Sequence, residues 1–156
     1  MSLAPQEVRT FFVTSVTVAR RAIFQTARMA DLLMDVLKEN RNRERFLLHE
    51  FVIMPEHFHL LLTPATDVPL EKAVQYVKGG FSFRAKRELD FQSAIWQESF
   101  TNHRIRDAGD YERHRSYIHR NPVKRFLVDA AELFAYSSAH PAAEIDPAPP
   151  WLKPLK

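Results

Sequence analysis

The sequence predicts a single α+β domain, an antiparallel sheet with helices packed on it in a ferredoxin-like, split βαβ order. Segments rich in β-branched and aromatic residues alternate with amphipathic segments in the order strand, helix, strand, strand, helix, strand. The second and third strand segments are separated only by Pro55 and Glu56, a link too short for anything but an antiparallel pair. A chain of 156 residues, 46% hydrophobic and 26% charged, fills one core of ordinary size.

The first strand is read over residues 11–19, FFVTSVTVA, from its β-branched and aromatic run. Thr26 can cap a helix that carries Met29, Leu32, Leu33, Val36 and Leu37 on one side and runs out in the polar ENRNRE stretch. Residues 46–54 and 57–63 form the next two strands, stopped by Pro55 and Pro64. Asp67 and Pro69 start a helix through Leu70, Ala73, Val74 and Val77, which residues 82–88 resume. Between them Gly79 and Gly80 mark either a kink or a close backbone approach. Residues 95–106 alternate apolar and polar side chains and supply the fourth strand. Asp110 can cap a last, basic helix, expected to end near Asn121 because Pro122 biases that residue away from helical geometry. Five of the ten prolines follow Asp129. The domain is therefore placed at residues 1–138, and 139–156 is read as a Pro-rich tail, an extended strap or a disordered segment.

Composition excludes several functions. With no cysteine there is no disulfide scaffold, thiolate zinc site, iron–sulfur cluster or cysteine nucleophile. No apolar run is long enough to span a membrane and the opening residues lack a signal-peptide core, so the expected compartment is the cytoplasm. The net charge is only +3, but between Lys78 and Val128 there are 11 basic and 6 acidic side chains. Aromatics Phe81, Phe83, Trp96 and Phe100 are interleaved there, a pattern suited to nucleic acid as well as to a solvated basic face.

On a strand, His57 and His59 project to one face while Phe58, Leu60 and Leu62 form the apolar stripe of the other. Two adjacent imidazoles are what a two-histidine metal site on a sheet requires, although surface histidines can show the same spacing. On the last helix Tyr117 and Asn121 are four residues apart and share a face, with Arg113, His114 and Arg120 nearby. Asn121 offers an amide oxygen as a third ligand or a helix cap, and Tyr117 a phenol nucleophile or a packing ring. Tyr111, six residues earlier, faces elsewhere around the helix. Two imidazoles and an amide leave coordination positions open and suit Mg²⁺ or Mn²⁺.

The run FVIMPEHFHLLLTP, the segment IWQESFTNHRIRD and the run YIHRNPVKRFLV, in this order, resemble the REP-associated tyrosine transposases, members of the single-tyrosine HUH nucleases. The resemblance covers roughly residues 11–138. It implies a ferredoxin-like domain with the histidine pair on a central strand and the tyrosine on a neighbouring helix. By motif, His57, His59 and Asn121 match the metal ligands and Tyr117 the nucleophile. The implied activity is metal-dependent cleavage of single-stranded DNA with a 5′-phosphotyrosine intermediate and a free 3′-hydroxyl, at an imperfect hairpin with a short guide sequence, by a monomer or homodimer. Lys78, Arg84, Arg104, Arg106, Arg113 and Arg120 are the candidate DNA contacts; His103, His114 and His119 receive no catalytic role. A relative that binds hairpin DNA without cutting it, and a metal-dependent hydrolase of small phosphoesters, are the competing readings. Two departures stand out. Phe126 occupies a position where relatives commonly have glycine, and the opening residues lack a basic, glycine-containing start.

Overall fold

The computed structural model describes residues 8–154, so the opening segment singled out above lies outside the described residues. Strands β1 (Phe11–Val16), β2 (Phe46–Met54), β3 (His57–Pro64) and β4 (Thr101–Arg104) form one sheet. Their order is β2-β3-β1-β4, and every neighbour is antiparallel. Helices α1 (Ala27–Asn42), α2 (Leu70–Leu89) and α3 (Ala108–Lys124) complete the fold. This is the α+β architecture that the alternation of segments predicts.

The two-residue period of the strands divides the core in two. Val13, Phe51, Ile53, Phe58, Leu60 and Leu62 pack against α1 and α2, together with Leu33, Val36, Val77 and Phe81. The opposite face presents Val52, Met54 and Leu61, which meet Ile105 and the Tyr111 and Ile118 side chains of α3. His57 and His59 share the α3 side with Leu61. That face is covered, and the two rings are only 8% and 5% exposed, more enclosed than a half-solvated strand would leave them.

Local details refine the expectations: the first strand stops at Val16 and gives way to a 3-10 turn at Val18–Arg20, and of the two readings of the glycine pair the kink does not occur. The helix α2 runs unbroken through Gly79 and Gly80, and Gly80 instead faces α1, where an added Cβ would lie 3.4 Å from Val36 Cγ1. The fourth strand is confined to β4, and the segment before it touches the sheet by a single bridge between Trp96 and Thr17. Trp96 there serves the core: its ring meets Phe24, Phe58 and Phe81, and its Nε1 donates to the Lys78 carbonyl at 2.9 Å. The cap of α3 is Asp107, whose Oδ1 accepts the Asp110 N–H at 2.7 Å, because Asp110 is already buried inside the first turn. Finally, α3 continues past Pro122 to Lys124. Its end is closed by paired bonds from the Phe126 N–H to the Val123 carbonyl and from the Leu127 N–H to the Pro122 carbonyl.

The C-terminal segment runs as a strap along β2, the edge of the sheet. Ile53 N–H donates to Tyr136 O, Ser138 N–H to Phe51 O and Asp146 N–H to Leu48 O. Asp146 also accepts a two-pronged contact from Arg41, at 3.1 Å on each oxygen. An edge covered in this way offers no template for pairing with another chain.

Candidate active site

Antiparallel pairing puts Thr14 of β1 opposite His59 and Met54 of β2 opposite His57, so both imidazoles stand at the centre of the sheet under α3. Each ring is held from behind. His57 Nδ1 lies 2.9 Å from Glu56 Oε1, and since a carboxylate can only accept, that nitrogen carries the proton. His59 Nδ1 lies 2.7 Å from Thr14 Oγ1. With Thr14 donating to Nδ1, His59 donates its Nε2 proton to the His57 Nε2 lone pair across 3.1 Å; with Thr14 accepting, both Nε2 lone pairs face the space between the rings. In the second arrangement both lone pairs are free for a cation. Burial first, then the neighbouring His57, push His59 down to about 3, and burial likewise lowers His57, so both rings are neutral and each keeps a lone pair to offer a cation. The donor set therefore fits a divalent cation, with the Nδ1 partners fixing ring orientation as is usual behind metal-bound histidines.

One turn of α3 delivers the remaining groups. A cavity of about 620 Å³ is lined by Thr14, His57, His59, Tyr117, Asn121 and the cations Arg20, Arg120, Lys124 and Arg125. Asn121 is nearly buried, and among the described residues no hydrogen bond engages its side-chain amide, leaving the oxygen available as a ligand. Tyr117 is 44% exposed and stands edge-on to His59, with ring centroids 5.3 Å apart. On its other side a second cavity is lined by Phe12, Glu112, Arg113, His114 and Ser116. Phe12 stacks on His59 and fixes its outer face. Tyr111 is buried against His49, facing away from this site.

The six candidate DNA contacts separate. Arg113 and Arg120 flank Tyr117, and Arg104 and Arg106 are exposed on and just after β4. Lys78 and Arg84 belong to α2, on the opposite layer. Lys78 donates to the Gln97 and Ser99 carbonyls at 3.2 and 2.8 Å, and Arg84 pairs with Glu88 at 2.6 Å.

Sequence reasoning missed Glu56, Thr14, Arg20 and Arg125. The Glu-His dipeptide was a visible signal for Glu56; the others become neighbours only through the fold. It also passed over a cluster beside the site, in which Asp110 holds His103 Nε2 at 2.8 Å and His114 Nδ1 at 3.2 Å. These three residues offer ligand atoms within 4.8 Å of one another. The two rings are stacked within 18° of parallel and both turn a nitrogen to the Asp110 carboxylate, so the three form a candidate His/Asp/His metal-binding group beside the site. Burial would raise the Asp110 carboxyl, but the His103 hydrogen bond and the Arg106 N–H outweigh it and hold it below the usual range.

Residues 9–121 match the family described as "Transposase IS200 like". The chain belongs to the IS200-like transposase family. A Haemophilus influenzae protein assigned provisionally to the REP-associated tyrosine transposases is 36% identical over 98 residues, covering 56% of this chain and 56% of that protein. The REP-associated tyrosine transposase of Escherichia coli K12 is 30% identical over 132 residues, 84% of this chain and 76% of that one. The solved structure of a REP-associated tyrosine transposase bound to a REP hairpin is similar over 96% of this chain and 92% of that one, with a TM-score of 0.68 and 28% identity. IS200-like transposases and this chain thus share both sequence and architecture. Among the described residues no helix is long and apolar enough to cross a membrane.

Proposed function

We propose that the chain is a metal-dependent single-stranded DNA endonuclease and strand transferase acting at hairpin-containing DNA, with Tyr117 as nucleophile. The observation that carries this is the convergence of the facing His57 and His59 nitrogens, the unengaged Asn121 amide and the half-exposed Tyr117 phenol in one cationic cavity. The hairpin substrate is taken from the similar structure, which holds a REP hairpin.

His57, His59 and Asn121 would hold a Mg²⁺ or Mn²⁺ ion, which when bound supplies charge neutralisation at the scissile phosphate. The chain's own groups do the rest. Arg20, Arg120 and Lys124 draw the phosphodiester into the cavity, and the phenolic proton passes to solvent as the attack begins. Tyr117 Oη then attacks phosphorus as the P–O3′ bond breaks. The products are a 5′-phosphotyrosine and a free 3′-hydroxyl. Because the phosphotyrosine conserves a phosphodiester bond, attack by another 3′-hydroxyl reverses the chemistry on a new strand without an energy source. Arg104, Arg106 and Arg113 extend the proposed phosphate track along the α3 and β4 side, whereas Lys78 and Arg84 would reach DNA only by exchanging their present partners. Hydrolysis of small phosphoesters is less well supported, since the adjacent carboxylate, Glu56, is engaged by His57 and Arg125.

The test is a denaturing gel of the protein incubated with Mn²⁺ and labelled single-stranded hairpins from the DNA flanking its coding sequence. A labelled band at protein mass, absent with EDTA and absent for Tyr117→Phe, is expected. No band, with a shifted complex on a native gel, would instead assign the chain to hairpin binding without cleavage.

A further inference from the structure

Phe126 combines two unfavourable features at one position. It follows the last turn of α3 with φ at 60°, in the left-handed region, where the Phe126 and Leu127 N–H groups close the helix. Glycine fits that position freely, whereas a side chain there is strained by roughly 1–2 kcal/mol. The ring gains nothing from the fold in return, being 94% exposed, the most exposed of the large apolar side chains among the described residues, with Leu127 beside it at 43%. A lone surface aromatic is unremarkable. One held in a strained conformation and left in water asks for a partner outside the chain.

Its position identifies that partner. The two preceding residues, Lys124 and Arg125, line the cavity of His57, His59, Tyr117 and Asn121, together with Arg20 and Arg120. The lining holds no carboxylate, and Glu56 behind it is neutralised by Arg125. A ligand that follows this cationic wall and then meets a bare aromatic ring should be a polyanion carrying flat apolar faces. Unpaired single-stranded DNA has that chemistry, with phosphates for the cations and bases for the ring. We infer that Phe126 is a stacking platform for an unpaired nucleobase of the strand running out of the active-site cavity past Lys124. This rests on the reading that single-stranded DNA occupies the cavity.

The experiment measures binding in the Tyr117→Phe background, where no covalent capture distorts affinity. The probes are fluorescein-labelled dT15 and an abasic counterpart with the same phosphates. With Phe126 present, dT15 should bind roughly tenfold more tightly than the abasic strand. Phe126→Gly should remove most of that preference, Phe126→Trp should keep it, and the salt dependence should stay unchanged because no charge is lost. The glycine variant should melt a few degrees higher as strain is released, so that lost affinity cannot be ascribed to misfolding. A glycine variant that keeps the preference for dT15 would overturn the inference. So would a dimer by sedimentation that the glycine variant dissociates while DNA affinity holds, since the ring would then belong to an interface between copies. Absence of binding to either strand also overturns it, while the transposase reading stands or falls separately on the Tyr117 adduct.

Discussion

Glu56 accepts two hydrogen bonds from Arg125, at 2.8 and 3.2 Å, while its Oε1 also accepts the His57 Nδ1 proton at 2.9 Å. One carboxylate therefore ties the proposed metal ligand on β3 to the residue that ends α3, the helix carrying Tyr117 and Asn121. Burial would raise its pKa, but Arg125 and then His57 outweigh burial and keep it ionised below the usual carboxylate range.

Replacing Glu56 with Gln removes the charge; with the amide nitrogen in the Oε2 position one Arg125 contact is lost, and with it in the Oε1 position the His57 contact and an Arg125 contact are both lost. Affinity for Mn²⁺, followed by the loss of the free-ion electron paramagnetic resonance signal, should fall about 10- to 100-fold. Adduct formation should fall with it at low metal and recover in part at saturating metal. Unchanged Mn²⁺ affinity would show that the carboxylate is a structural tie only.

Much of this arrangement was legible in the sequence because it is local. The H-x-H spacing on a strand fixes His57 and His59 to one face, and a four-residue spacing on a helix fixes Tyr117 with Asn121. What escaped depends on pairing between distant segments. Thr14 reaches His59 only through the β1–β3 register, and Arg125 reaches Glu56 only because α3 continues past Pro122. The proline rule failed there because the closing bonds from Phe126 and Leu127, and the Glu56 contact, lie downstream of where a local rule stops reading. Lys78 and Arg84 show the reverse limit: a basic window of sequence includes cations from both layers of the sheet.

His49 links acid stability to the strap. Its Nδ1 lies 2.8 Å from the Pro147 carbonyl and its Nε2 2.9 Å from Thr63 Oγ1. Burial lowers its pKa, with the Pro147 carbonyl and the Asp146 charge only partly opposing. The unfolded chain thus takes up a proton near the ordinary histidine value of about 6.5 while the folded chain does not. Stability should be fully present above that value and decline as pH falls below it, a trend that His57 and His59 share. In urea titrations at pH 7.5 and 5.5 with EDTA present, His49→Gln should show a smaller difference between the two midpoints than the parent. An equal difference would place the acid sensitivity elsewhere.

Gly80 lies inside α2, where glycine destabilises a helix by about 1 kcal/mol relative to alanine. The Cβ of Gly80→Ala would rest in contact with Val36, so this variant should gain about 0.5–1 kcal/mol in denaturant unfolding. Gly80→Leu should lose stability, since the additional atoms must displace α1. A stabilised leucine variant would mean that the two helices are not in contact at this point.

The layers of the sheet give the cations different weights in DNA binding. Arg120 lines both cavities around Tyr117, and its Nε donates a long 3.4 Å hydrogen bond to the Ser116 carbonyl. Arg84, on the opposite layer, is engaged by Glu88 and lies within 3.9 Å of Asp35 and 3.6 Å of Glu39. Removing a phosphate contact lowers the slope of log affinity against log salt by roughly 0.7 for a single strand. Arg120→Ala should show that reduction, measured by anisotropy with labelled single-stranded DNA between low and physiological salt, together with an affinity loss that shrinks as salt rises. Arg84→Ala should change the slope less, because the arginine must first leave three carboxylates before it can meet a phosphate. The reverse order would carry the DNA over α2 and move the proposed strand path off the face that holds Tyr117.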